Sequence, residues 1–142
     1  MNDCIFCKII EDKLPAYKVY EDEKFMAFLD IAPVNPGHTL VVPKKHFVSL
    51  SDVPKEYTAD FMTVVKKVGD AVMEAVGVEG FNLGMNNGGV AGQIVPHVHM
   101  HIMPRVESDG LKLWPSKKYS PGEDKQVAQK IRQALGQDHE EN

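Results

Sequence analysis

Cysteine is scarce in this chain: it has two among 142 residues, close together in Cys4-Ile5-Phe6-Cys7. That is too few for the disulfide framework of a small secreted domain. No apolar run approaches the ~20 residues that a transmembrane helix needs, which excludes one. The opening Met1-Asn2-Asp3-Cys4 has no basic segment followed by an apolar one, so no secretory signal is expected. Basic residues are not in excess either. A formal net charge of −4 offers no broad field for nucleic acid or an anionic membrane, so any phosphate affinity must be local. No internal repeat and no low-complexity tract is present. A cytoplasmic setting, with no nucleic-acid partner and no membrane, is the expectation.

What is present fits one domain over residues 1–142, with 25% charged and 43% hydrophobic residues. Ile5, Phe6, Ile9 and Ile10 are spaced for a short helix. Tyr17 to Tyr20 and Phe25 to Leu29 read as strands of a hairpin across the acidic turn Glu21-Asp22-Glu23. Pro33, Pro36 and Gly37 mark a loop before a β-branched strand, Thr39 to Val42, that stops at Pro43. The clearest helix runs from about Pro54 to Val76, with Tyr57, Phe61, Val64, Val65, Val68 and Val72 on one face. Pro54 suits its first turn and Gly77 its left-handed stop. Phe81, Leu83 and Met85 alternate with polar residues or glycine as in a half-buried strand. Asn87 to Gly92 is a glycine-rich loop. Another alternating strand is expected from Val95 to Met103, ended by Pro104, and a final helix carries Val127, Ile131 and Leu135. Strands on both sides of one long helix predict an antiparallel α+β domain and disfavour a doubly wound nucleotide fold.

Three of the six histidines fall at 97, 99 and 101. On a strand they share one face, roughly 7 Å apart, while Val98, Met100 and Ile102 take the other. A solvated polar face is the bland reading. His-x-His can instead converge on zinc. A third reading is nucleophilic: a neutral imidazole attacks phosphorus, and water breaks the phosphorus–nitrogen bond. With an ordinary pKa of ~6.5, histidine is mostly neutral at pH 7. The loop Asn86-Asn87-Gly88-Gly89 with Gly92-Gln93 favours this reading, because its backbone N–H groups can approach a phosphate. Cys4-x-x-Cys7 has the spacing of two zinc ligands, or of a reduced or redox pair.

The segment Ala91-Gly92-Gln93-Ile94-Val95-Pro96-His97-Val98-His99-Met100-His101-Ile102-Met103-Pro104-Arg105 resembles the signature of the histidine triad superfamily. Phe28-Leu29-Asp30-Ile31-Ala32-Pro33, Gly37-His38 and Val42-Pro43-Lys44-Lys45-His46 resemble its ribose-binding and supporting segments. The likeness covers about Cys4 to Arg105, nearest the bacterial zinc-containing branch of nucleoside phosphoramidate hydrolase-like proteins, and leaves 106–142 as a C-terminal extension.

That resemblance implies a fold and a chemistry. The fold is an antiparallel sheet of about five strands with one main helix and short N- and C-terminal helices, in a protein that pairs as a homodimer. His99 is the implied nucleophile, forming a nucleotidyl-histidine. His101 hydrogen-bonds the α-phosphate or bridging oxygen, His38 buttresses the triad, and His97 completes the catalytic set. Asp30 binds the ribose hydroxyls, while Phe6, Ile9, Phe28 and Ile31 wall the base pocket. Asn86 and the backbone of Gly92, Gln93 and Ile94 hold the phosphate. In the zinc-containing branch, His46 and His97 join Cys4 and Cys7 around a structural zinc, with no organic cofactor. The implied activity is a nucleotide hydrolase or transferase acting on purine nucleoside phosphoramidates. Alternatives are a dinucleoside polyphosphate hydrolase or a purine-nucleotide-binding regulator. Many members carry Ser or Thr where this chain has Ile94, which implies slower expulsion of an amine leaving group.

Overall fold

The computed structural model describes residues 3–137. Its elements are α1 (Ile5–Ile10), β1 (Lys18–Glu21), β2 (Phe25–Leu29), β3 (Thr39–Pro43), α2 (Lys55–Val76), β4 (Gly80–Gly84), β5 (Met100–Arg105) and α3 (Glu123–Leu135). The five strands form one sheet in the order β1-β2-β3-β5-β4, antiparallel at every pairing. This is the α+β architecture expected from the sequence.

The apolar runs of β2 and β3 explain the layering, because strands of that composition need cover on both faces. Phe25, Ala27 and Val41 point to one side, where they pack with Phe61, Val64, Val65 and Val68 of α2. Met26, Phe28, Leu40 and Val42 point to the other, where they meet Cys4, Phe6, Cys7 and Ile9 of the α1 segment. Each fully buried large side chain in these layers contributes about 1.5–3 kcal/mol. Gly69 lets α2 lie close to β4, since a Cβ there would sit 3.1 Å from the Phe81 ring.

Helix α2 begins one residue later than the proline suggested. Pro54 is its N-cap, in extended conformation, and Gly77 closes the helix at φ 70° as expected. The expected strand from Val95 to Met103 needs a larger correction: β5 starts at Met100 and continues to Arg105. Pro104 therefore lies inside a strand. It pairs with Phe81 on the β4 side, while pairing with β3 has already ended at Thr39 opposite Ile102. Its missing N–H thus costs no ladder bond. At the other end, Pro96 has no N–H to offer, and the Pro43 carbonyl is taken by the His97 ring instead of a backbone donor. The alternation survives without the ladder, because Val98 and Ile102 are buried in the α2 layer.

Packing divides the chain into two units, Met1–Asp109 and Gly110–Asn142. In the second, α3 has no buried residue, and Leu113, Trp114, Tyr119, Ile131 and Leu135 are all exposed. Among the described residues no helix is long and apolar enough to cross a membrane.

Candidate active site

The site lies on the α1 side of the sheet. His101 stands opposite Leu40 of β3, whose side chain belongs to the α1 layer. His38 immediately precedes β3, and its Nε2 is 2.9 Å from Nδ1 of His101. The Val34 N–H points at Nδ1 of His38 from 3.1 Å. An N–H only donates, so Nδ1 of neutral His38 accepts and its proton sits on Nε2. His38 therefore donates to Nδ1 of His101, which leaves the His101 proton on its own Nε2.

His99 is held in the opposite sense. Its Nδ1 lies 2.8 Å from the His97 carbonyl, which only accepts. The Nδ1–H therefore donates, and Nε2 of neutral His99 carries the lone pair. Burial pushes the His99 pKa down against the pull of that hydrogen bond. Burial, followed by the neighbouring His99 and His38, lowers His101 to about 4, and Asp30 opposes the shift. Burial lowers His38 as well. At pH 7 these imidazoles are neutral, the state that both tautomer assignments require.

Asp30 completes this corner, with Oδ2 3.5 Å from Nε2 of His38 and 4.0 Å from Nδ1 of His101. Its other oxygen accepts from the Ala32 N–H. Asp30, His38 and His101 gather ligand atoms as a metal site would. The Val34 N–H keeps the proton on Nε2 of His38, however, and a protonated nitrogen donates rather than ligates.

His97 faces a different cluster. Its Nε2–H donates to the Pro43 carbonyl at 2.8 Å. Its Nδ1 lies 3.4 Å from Sγ of Cys4 and 3.5 Å from Sγ of Cys7, and Nδ1 of His46 is 3.3 Å from Cys7 Sγ. Zinc binds sulfur at about 2.3 Å and nitrogen at about 2.0–2.1 Å, so tetrahedral ligation places S and N about 3.5 Å apart. These three sulfur–nitrogen distances match that spacing, and the four donors of the Cys2His2 set all lie within 4.8 Å of one another. The residues fit zinc.

The other expected residues divide. Phe6, Ile9 and Phe28 are buried in the α1 layer, and the Phe6 ring stands edge-on to His99 at 5.0 Å and to Phe28 at 5.4 Å. Ile31 and Ile94 are each 92% exposed. The glycine loop is less open than expected, because a tight turn over Gly89–Ala91 closes it. The N–H groups of Ala91, Gly92 and Gln93 bond inside the loop. The Gln93 side chain clamps it further, accepting from Gly88 N–H and donating to the Val48 and Val95 carbonyls. Asn86 donates to the Gly92 carbonyl. Sequence reasoning missed this clamp, along with the Val34 N–H and the Pro43 carbonyl. The two backbone groups leave no signal in side-chain identity. Arg105 forms a two-pronged ion pair with Asp109, at 2.7 and 2.8 Å, and donates to Asn82.

The model of the HIT domain matches residues 11–108. An uncharacterized HIT-like protein of Methanocaldococcus jannaschii is 54% identical over 107 residues, covering 75% of this chain and 82% of that protein. An adenosine 5'-monophosphoramidase of Schizosaccharomyces pombe is 43% identical over 130 residues, covering 90% and 95%. The crystal structure of a zinc-bound histidine triad family protein from Mycobacterium smegmatis superposes with a TM-score of 0.74 at 37% identity, covering 95% of this chain and 94% of that one. The histidine pattern, the sheet that carries it and these likenesses agree: the chain belongs to the HIT, or histidine triad, family.

Proposed function

We propose that this protein hydrolyses purine nucleoside phosphoramidates or related nucleotides at the α-phosphate, through a nucleotidyl-histidine on His99. The observation that carries the reading is a pair of hydrogen bonds that select opposed tautomers: the His97 carbonyl at Nδ1 of His99 leaves a lone pair on its Nε2, and Nε2–H of His38 at Nδ1 of His101 leaves an N–H on its Nε2. The first suits attack on phosphorus, and the second suits a hydrogen bond to an oxygen gaining negative charge. His99 Nε2 attacks, the phosphorus–nitrogen bond to the amine breaks, and the amine leaves with a proton from solvent. Water then cleaves the His99–phosphorus bond, releasing the nucleoside monophosphate and restoring neutral His99. Asp30 offers two oxygens for ribose hydroxyls. Asn86 and, in the Gly92 to Ile94 backbone, the Ile94 N–H (those of Gly92 and Gln93 being bonded inside the loop) join the apolar walls at Phe6, Ile9, Phe28 and Ile31 to complete the nucleotide site. The name of the Schizosaccharomyces pombe relative supports the phosphoramidate class. Arg105, engaged by Asp109 and Asn82, gives no support to a polyphosphate-binding alternative.

Cys4, Cys7, His46 and His97 would hold a structural zinc, which when bound supplies a rigid cross-link between α1 and the sheet. The zinc-bound Mycobacterium smegmatis structure supports this part of the reading. The single domain is proposed to work as a homodimer in the cytoplasm, where thiol ligands stay reduced. The deciding experiment sets adenosine and guanosine phosphoramidates against dinucleoside polyphosphates in steady-state kinetics, with rapid-quench mass spectrometry of the protein. Preference for phosphoramidates and a nucleotidyl adduct on His99 are expected. Nucleotide binding without turnover of either class would refute the reading in favour of a regulator.

A further inference from the structure

The loop between β2 and β3 carries the group that sets the proton of His38. The Val34 N–H meets Nδ1 of His38 at 3.1 Å, which leaves the His38 proton on Nε2, facing His101. Few groups hold this loop. Ile31, Ala32, Pro33, Val34 and Pro36 are all exposed, and the two prolines have no N–H to bond. Asn35 bears the one polar side chain of residues 31–36. Its Nδ2 donates to the Pro104 carbonyl at 2.9 Å and to Oδ2 of Asp109 at 3.1 Å. A carbonyl and a carboxylate only accept, so the amide has one orientation and both of its N–H groups are used.

The far side of this clamp is firmly built. The Asp109 side chain is 4% exposed, and its carboxylate also accepts from Nε and Nη2 of Arg105 and from the Val106 N–H. Arg105 donates in turn to Asn82 of β4. Asn35 is thereby tied to the end of β5, the strand that carries His101. Its neighbour Val34 has little room to move, because a shift of ~1 Å takes the N–H out of hydrogen-bond range of His38. Neutral His38 then populates both tautomers, and the Nδ1–H form offers His101 a lone pair in place of a donor. We infer that Asn35 is a positioning residue: through Pro104 and Asp109 it holds the Val34 N–H against His38, and so keeps the His101 proton on Nε2. The inference rests on the reading of His101 as donor to the substrate oxygen.

The test uses the full chain carrying Asn35→Ala, or Asn35→Asp, which keeps the shape and loses both donors. Each is compared with wild type and combined with His38→Ala, well below the melting temperatures. The readouts are kcat and KM for an adenosine phosphoramidate and ¹⁵N NMR of the His38 and His101 rings. Both Asn35 variants are expected to lower kcat by ~10-fold with KM within ~3-fold, and to turn the single Nε2–H form of His38 into a mixture of tautomers. In the His38→Ala background the same substitutions are expected to change kcat by less than ~2-fold, since the Val34 N–H then has no ring to hold. A folded Asn35→Ala that keeps His38 in the single Nε2–H form would overturn the inference, as would a loss of kcat that persists in full without His38. Turnover that survives His99→Ala would instead overturn the proposed function, while the His38 tautomer still decides the role of Asn35.

Discussion

Nε2 of His38 donates to Nδ1 of His101 across 2.9 Å, and this bond leaves the His101 proton on Nε2. Replacing His38 with Ala leaves Nδ1 of His101 without its donor and frees the ring to carry its proton there. The expected result is a fall in kcat of ~10²-fold with a smaller change in KM. His38→Gln keeps an N–H donor, so it should recover part of the loss. Equal kcat values for the two variants would show that the donor is irrelevant.

His99→Ala removes the lone pair on which the covalent route depends. Turnover of an adenosine phosphoramidate should fall by on the order of 10³-fold or more, while the Kd for AMP, measured calorimetrically, stays within ~3-fold. Near-normal turnover would sink the covalent mechanism.

Stability should depend on pH through the buried imidazoles. His101 titrates at about 4 in the folded protein, below its ordinary value near 6.5, because burial disfavours the cation. Between those values the unfolded chain binds the proton more readily, so stability rises with pH. The contribution is intact above about pH 6.5 and declines as pH falls towards 4. His38, shifted in the same direction, adds to the slope. Thermal melts of the zinc-depleted protein should fall across this window, and the slope should be shallower in His101→Gln. A variant slope as steep as that of wild type would assign the acid sensitivity elsewhere.

Zinc removal should also be visible in melting. Binding to a site that the unfolded chain does not preform is linked to folding, so chelation should lower Tm by more than ~10 °C and readdition should restore it. Metal analysis without zinc, together with an unchanged Tm in Cys4→Ser, would refute the assignment.

Ile94→Ser bears on the leaving group. Ile94 is 92% exposed, so its removal should cost less than ~0.5 kcal/mol of stability. A hydroxyl there could relay a proton to a departing amine, an effect worth up to ~10²-fold. The kcat/KM for a poorly activated amine should therefore rise more than that for a dinucleoside polyphosphate. Equal changes would mean that Ile94 only shapes the pocket.

The sequence made some of this legible for clear physical reasons. His97, Val98, His99, Met100, His101 and Ile102 alternate because one side of that segment meets the α2 layer, and the pattern held even where the strand ladder is missing. Pro104 misled because a proline inside a strand is silent once the neighbouring strand has ended. Gln93 was read for its backbone alone, and residue type gave no sign that its side-chain amide closes the loop. The deepest gap concerns protons. The tautomers of His38, His97 and His99 are set by Val34 N–H, Pro43 C=O and His97 C=O, backbone groups that every sequence contains.

Pairing between β3 and β5 sets Leu40 against His101, and a strand's side chains change sides with every residue. A slip of one position would retain most of the sheet's backbone bonds while turning His101 into the α2 layer and aiming Ile102 or Met100 at the substrate. Strand register is therefore an address as well as a bond pattern. A refolded preparation can regain its circular dichroism and still hold misaddressed molecules with no activity. Titration of active sites, rather than spectroscopy, is the proper measure of recovered protein.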